Sequence, residues 1–436
     1  MGSMNRAVVA CLLFSFLATR PVGAQLRESA GLWKAGGWKQ YITFEVQETA
    51  GIDRQQEPVE VGVRLPDRNI RVVRWGDAPE EVVSQVVEAR FDGAAYKMRV
   101  VFPATVPARA TVLYRVYYGQ PDAPAASYST ALKVSQETRV GWAVENEHYK
   151  ADAGLRSIKG QDEDSGQIQA LTLNCCGVTL LRSGGGRMHW GPNFRRPGAP
   201  SYKTIGNWEP VQSIERVKGP VVCESRRSGF HAEYPEIKLD AVYRFFAFVP
   251  YFRFRSEMLM SEALDLFLLR NDEMTMDAFF THVAWPGKTS GPPVQSATLE
   301  EREKTLEKQP IPADAPWICF YNSDKGYGYG SVRLHFDNRN TGGKPSPLYH
   351  PYTKISDGAG GGRYWNRRLI DEHDTRVPAG SRYLEDNAYV VFRLRAGPPA
   401  QALGEFLEWE KKLRKPLQTE LQGSKAWTAR QKAAKK

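Results

Sequence analysis

The chain has 436 residues, 42% hydrophobic, 11% aromatic and 25% charged, with a formal net charge of +10. That length fits one large or two medium domains. With Arg6, Arg20 and the nine Lys/Arg of Lys411–Lys436 set aside, Gln25–Glu410 holds equal numbers of acidic and basic residues. The excess charge therefore belongs to the ends, which argues against a polyanion-binding body, and no nucleic-acid module is recognisable.

Met1-Gly2-Ser3 reads as an expression scar. From Met4 the chain reads as a cleavable secretory signal, with Arg6, the apolar run Ala7–Ala18 and the small-residue site Val22-Gly23-Ala24. The run is too short to span a bilayer, so no stable membrane insertion is expected and a secreted or periplasmic protein is. The expected divisions are 1–24 scar and signal, 25–125 a small β-sandwich, 126–416 a large one, and 417–436 a basic, disordered tail.

Short alternating segments rich in β-branched and aromatic residues predict strands at Tyr41–Gln47, Val59–Leu65, Val82–Val87, Lys97–Phe102 and Val112–Tyr118. The Pro/Ala/Ser stretch Gln120–Ser127 reads as a linker. Strands are predicted to resume at Val140–Tyr149, Gln167–Leu173, Val221–Glu224, Lys238–Phe248, Tyr251–Met260, Met276–Ala284, Trp317–Asn322, Gly328–Phe336 and Ala388–Leu394. Helices are predicted only at Ser296–Gln309 and Pro399–Lys415, the latter with Leu403, Phe406, Leu407 and Leu413 near helical spacing. The fold class is all-β: a small sandwich, then a large antiparallel supersandwich closed by a C-terminal helix. Beyond the signal four cysteines remain; one bridge, Cys223 to Cys175 or Cys176, is allowed, and buried thiols are the default.

The segment Val144-Glu145-Asn146-Glu147-His148-Tyr149-Lys150-Ala151 resembles the opening strand of galactose-mutarotase-like β-supersandwich domains, with Ala151 where that pattern has Val. Val377–Tyr383 and Asn387–Phe392 resemble late strands of the same sandwiches. Glu57-Pro58-Val59-Glu60-Val61-Gly62-Val63-Arg64-Leu65-Pro66 resembles the entry of a small β-domain that precedes them in exo-acting rhamnogalacturonan lyases. The resemblance implies a carbohydrate-active enzyme such as a polysaccharide lyase or a glycoside hydrolase, and carries over no catalytic residue, because one sandwich hosts several chemistries.

Arg182–Trp208 holds five basic residues, two tryptophans, His189 and Tyr202, and no Asp or Glu. Arg333–Arg368 sets seven basic residues against Asp337 and Asp357 alone. Two such segments facing one cleft suit an acidic polysaccharide or oligosaccharide. β-Elimination at a uronic acid needs donors on the carboxylate, a base near C5 and an acid at the leaving oxygen. His189, Tyr202 and Arg195 are the catalytic candidates; Trp190, Asn193, Arg196, Asn207, Trp208, His350, Tyr352, Arg367 and Arg368 are the substrate-binding ones. A glycoside hydrolase would need two carboxylates. Asp272-Glu273 is the conspicuous pair, read here as part of a turn whose neighbours point to opposite faces. A non-catalytic glycan-binding protein is the third reading. No spacing matches a zinc site or an EF-hand, so no cofactor is expected and calcium is not indicated. Oligomeric state is not legible.

Overall fold

The computed structural model describes residues 37–424 except 39, 155–164, 182–188, 206–207, 209–210, 277–278, 289–290, 309 and 358–362. The scar and signal, Asn207 and residues 425–436 lie outside the described residues.

The first strands obey the period of two that a half-buried sheet demands. In Arg54–Leu65, Val59, Val61, Val63 and Leu65 are buried while Glu60, Gly62 and Arg64 are exposed. This strand, Tyr96–Val106 and Gln85–Phe91 form a three-stranded sheet. It packs on a five-stranded sheet ordered Gln418–Leu421, Gln40–Gln47, Thr111–Tyr118, Arg71–Trp75 and Glu80–Val82. Gln418–Leu421 corrects the expectation of a disordered tail from residue 417: it pairs with Gln40–Gln47, Phe44 opposite Leu421. A buried ion cluster fixes this return. Arg54 pairs with Glu48 at 3.0 Å and Glu57 at 2.8 Å and donates to the Lys412 and Lys415 carbonyls.

The larger part is built on a nine-stranded antiparallel sheet: Ser213–Val217, Val222–His231, Tyr234–Phe246, Tyr251–Met260, Arg382–Arg393, Tyr327–Asp337, Trp317–Asn322, His282–Pro286 and Val294–Thr298. Both faces are covered, so strands such as Arg382–Arg393 carry a continuous apolar run, Ala388–Phe392. One face packs on a five-stranded meander (Lys133–Ser135 to Val178–Leu180) and on a seven-stranded sheet. The other receives Val87, Val101 and the C-terminal helices Pro399–Ala402 and Gly404–Arg414. Phe406 is fully buried, 5.4 Å from the Trp317 ring and 5.0 Å from that of Phe392, which contributes about 2–3 kcal/mol.

Two local expectations are corrected. Val140–Tyr149 is two strands, Trp142–Glu145 and Tyr149–Ala153, because the Asn146 carboxamide accepts the His148 and Tyr149 N–H groups and turns the chain. Ser296–Gln309 starts inside the strand Val294–Thr298, and its helix is only Arg302–Lys308. The four cysteines are free thiols, in line with the default reading, with Cys223 and Cys319 buried in the apolar core and Cys176 exposed. No helix among the described residues is long and apolar enough to cross a membrane.

Candidate functional site

The seven-stranded sheet runs Lys203–Thr204, Asn193–Arg195, Leu268–Met276, Arg363–Ile370, Tyr352–Asp357 and Ile311–Pro312, with His189–Trp190 also pairing Leu268–Met276. The two basic segments thus flank one strand of one sheet. Thr204, Asn193, Arg270, Arg368 and Tyr352 are successive register partners across five strands. Residues opposite one another share a face; this one is opposite the face from which Asp272, Trp365 and Arg367 meet one another and the nine-stranded sheet, and apart from half-buried Tyr352 its residues are buried.

Leu268–Met276 is a strand and not the turn expected at Asn271–Glu273. Its register shifts between Asn271 and Met274, and Asp272 adopts φ 43°. Such a bulge lets two consecutive side chains point the same way. Asn271 accepts from Ser256 on the nine-stranded sheet. The Asp272 carboxylate accepts from Ser331 Oγ (3.0 Å), Arg333 Nε (2.9 Å), Trp365 Nε1 (3.3 Å) and the Tyr389 hydroxyl (3.1 Å). Both therefore knit the two sheets together, and Glu273 is returned to the outer face. There it faces Arg270 Nη1 at 3.4 Å, and the Arg270 guanidinium lies 5.2 Å from the Tyr202 ring. Gly191 allows the approach: a Cβ there would meet Glu273 Cβ at 3.1 Å.

Next along the row, Arg368 donates from Nε to Asn366 Oδ1 at 3.1 Å and pairs through Nη1 with Asp371; the Glu372 carboxylate lies 3.9 Å from the same nitrogen. Burial pushes the Tyr352 phenol up; Arg368 opposes this and the Asp371 carboxylate reinforces it. A cavity of about 470 Å³ opens here, lined by Tyr349, His350, Pro351, Tyr352 and Asp371. Tyr349 stacks on His373 with ring centroids 3.7 Å apart. At depth the row holds unanswered polar atoms. Both amide atoms of Asn193, Arg270 Nε and Asn366 Nδ2 are buried without a hydrogen-bond partner among the described residues. A buried amide left unbonded costs about 1–3 kcal/mol, so these groups are available to a hydrogen-bonding partner.

The face gathers Asn193, Tyr202, Tyr352 and Arg368, with His350 at the cavity. Arg195 is on the same strand two residues beyond Asn193, its guanidinium 4.7 Å from the Phe267 ring and facing no carboxylate among the described residues. His189 and Trp190 are placed in register with Thr275 and Met274; Thr275 itself pairs with Tyr364.

Other candidates lie elsewhere. Trp208 is fully buried and donates to the Phe230 carbonyl at 3.2 Å, which makes it core and not a sugar platform. Arg196 donates from Nη2 to both carboxylate oxygens of Glu236, at 2.7 and 2.6 Å. Arg367 faces inward and pairs with Glu385 between the sheets, where burial and the neighbouring Arg333 push its guanidinium down to about 9. The acid-free character of Arg182–Trp208 is undone in space: Lys203 also meets a carboxylate, Glu233, at 2.5 Å. Sequence reasoning missed Arg270, Asn366 and Asp371 as site residues and read Glu273 as turn. Their available signal was the acidic Asp272-Glu273 pair and the Arg368-x-x-Asp371 spacing.

No family model and no curated protein matches the sequence. In fold the chain is similar to an alpha-mannosidase from Enterococcus faecalis, at 11% identity and a TM-score of 0.53 over 88% of this chain and 46% of that one. It is also similar to a glycosyl hydrolase family 38 protein from the same organism, at 11% identity and a TM-score of 0.51 over 88% of this chain and 47% of that one. A galactose mutarotase related enzyme from Lactobacillus acidophilus overlaps 58% of this chain and 97% of its own at 9% identity and a TM-score of 0.33. The chain spans slightly under half the length of the two Enterococcus proteins. With its sheets, the likeness establishes an all-β, multi-sheet antiparallel sandwich fold.

Proposed function

We propose that the protein is a carbohydrate-active enzyme of hydrolytic type, acting on a glycan bound across the outer face of the seven-stranded sheet. One observation carries this reading. Arg270 and Arg368 are register partners between Tyr202 and Tyr352, and each faces a carboxylate three residues on along its own chain, Glu273 and Asp371. Glycoside hydrolysis asks for two carboxylates on either side of the scissile bond, and Glu273 and Asp371 are assigned to it. Partly buried tyrosines offer ring faces to the sugar. Both cations of the row, Arg270 and Arg368, already face a carboxylate, so the row itself suits a neutral sugar better than a uronate, while Arg195 further along the face remains for a polar substituent. The hydrolases named above share the fold, which fits this reading.

Elimination at a uronic acid is the second reading, and Asn193 favours it. Its unpartnered buried amide beside Arg270 is a donor set for a carboxylate, with Tyr202 and His189 as the acid and base. The products separate the two. Incubation with mannan, xylan and polygalacturonate is expected to release new reducing ends without ultraviolet absorbance. Unsaturated ends would establish elimination instead, and no product from any glycan would remove both.

A further inference from the structure

The first β-sandwich holds a groove of about 850 Å³. Its walls are the turn 66–71, residues 86–89 of the strand Gln85–Phe91, Tyr96 and residues of the linker 121–126, with Phe91 beyond Tyr96 outside the lining. The linker wall is built, not draped: Asn69 Nδ2 donates to the Gln120 carbonyl at 3.1 Å and the Ala123 carbonyl at 2.5 Å, and Arg71 donates to that of Pro124. At the mouth the exposed Arg68 guanidinium lies 5.4 Å from the Tyr96 ring. Tyr96 in turn lies 5.1 Å from Phe91, which at 60% is the most exposed large hydrophobic side chain among the described residues.

The other charges at this groove are engaged. Glu88 meets Arg90 at 2.8 Å and Arg99 at 3.0 Å, Arg71 meets Glu81 at 3.4 Å, and Asp67 accepts the Asn69 and Gly119 N–H groups. Arg68 faces no carboxylate among the described residues. The strand Gln85–Phe91 is a sheet edge, but its bulge between Val86 and Glu88 and its charged side chains oppose addition of a peptide strand. What remains is an exposed ring beside a half-buried one, an unpaired guanidinium and a trough of mixed polar and apolar walls, which match sugar ring faces and their hydroxyl or acidic substituents.

We propose that this groove is a second glycan-binding site, taking an extended oligosaccharide segment with its rings on Tyr96 and Phe91 and its polar substituents on Arg68. It stands apart from the reaction assigned to the seven-stranded sheet. The test is affinity electrophoresis of the full chain through gels containing polygalacturonate, mannan or xylan. Retardation in at least one gel is expected, weakened at least fivefold in both Phe91→Ala and Arg68→Ala, while the melting temperature and the turnover of short oligosaccharides stay unchanged. Equal retardation of variants and wild type, or no retardation in any gel, overturns the proposal. Ring-dependent retardation without any product upholds the groove and removes the hydrolytic reading. Turnover without ring-dependent retardation does the reverse.

Discussion

Asp272→Asn is the sharpest perturbation of the inter-sheet network. The carboxylate is buried and answers Ser331, Arg333, Trp365 and Tyr389 on three different strands. An amide supplies one acceptor oxygen where two worked, turns an NH₂ toward existing donors, and strips Arg333 of its counter-ion. Removing one partner of a buried ion pair costs about 3–5 kcal/mol. The further hydrogen bonds are part of the same network and do not add in full. At roughly 1 °C per kcal/mol for a chain of this size, the melting temperature falls by about 3–5 °C. Adding Arg333→Met removes the stranded charge and restores at least half of the loss. Differential scanning calorimetry reads both. A single variant melting within about 2 °C of wild type, or a double variant melting below the single one, refutes the bulge-centred network and with it the placement of Glu273 on the outer face.

Four further outcomes are expected. Glu273→Gln lowers turnover per folded molecule by at least about 100-fold, the usual scale for an acid–base carboxylate, and also lowers the melting temperature, because buried Arg270 loses the charge it faces; steady-state kinetics beside calorimetry checks both. Asn193→Ala, which breaks no bond among the described residues, raises KM about tenfold at near-constant stability. Trp208→Ala costs about 3–5 kcal/mol and leaves activity per folded molecule intact, as fits a core ring. For Glu48, burial pushes the carboxyl up, but N–H donors from Arg109, Ala50 and Gly51 and the Arg54 guanidinium outweigh it and hold it at about 2. A carboxyl depressed by folding stabilises above its unfolded range and loses that contribution as pH falls toward about 2. Glu48→Gln therefore lowers stability near pH 7 by about 3 kcal/mol, the scale for losing one partner of a buried pair, and flattens the acid limb of a melting-temperature profile.

Much of the fold was legible because the sheets keep strict periodicity. The hairpin predicted at Lys238–Phe248 and Tyr251–Met260 is present, with Val242 opposite Arg255. The meeting of the two basic segments was legible in outline, since both are Gly/Pro-broken and polar where the sheet turns its outer face. The failures share one cause: they depend on partners distant in sequence. Glu236, 40 residues from Arg196, consumes that cation, and Glu385 consumes Arg367. Trp208 reads as a surface ring until the Phe230 carbonyl is seen above it. The bulge at Asp272 carries no glycine, so composition offers no hint that Asn271 and Asp272 both turn inward and free Glu273.

The central claim is that Glu273 and Asp371 work as a carboxylate pair on a neutral sugar. Product analysis by mass spectrometry in ¹⁸O-labelled water, with wild type, Glu273→Gln and Asp371→Asn, tests it most directly. The account predicts one labelled oxygen in a new reducing end, lost in both variants. Unlabelled, unsaturated products formed at wild-type rates by either variant would contradict it.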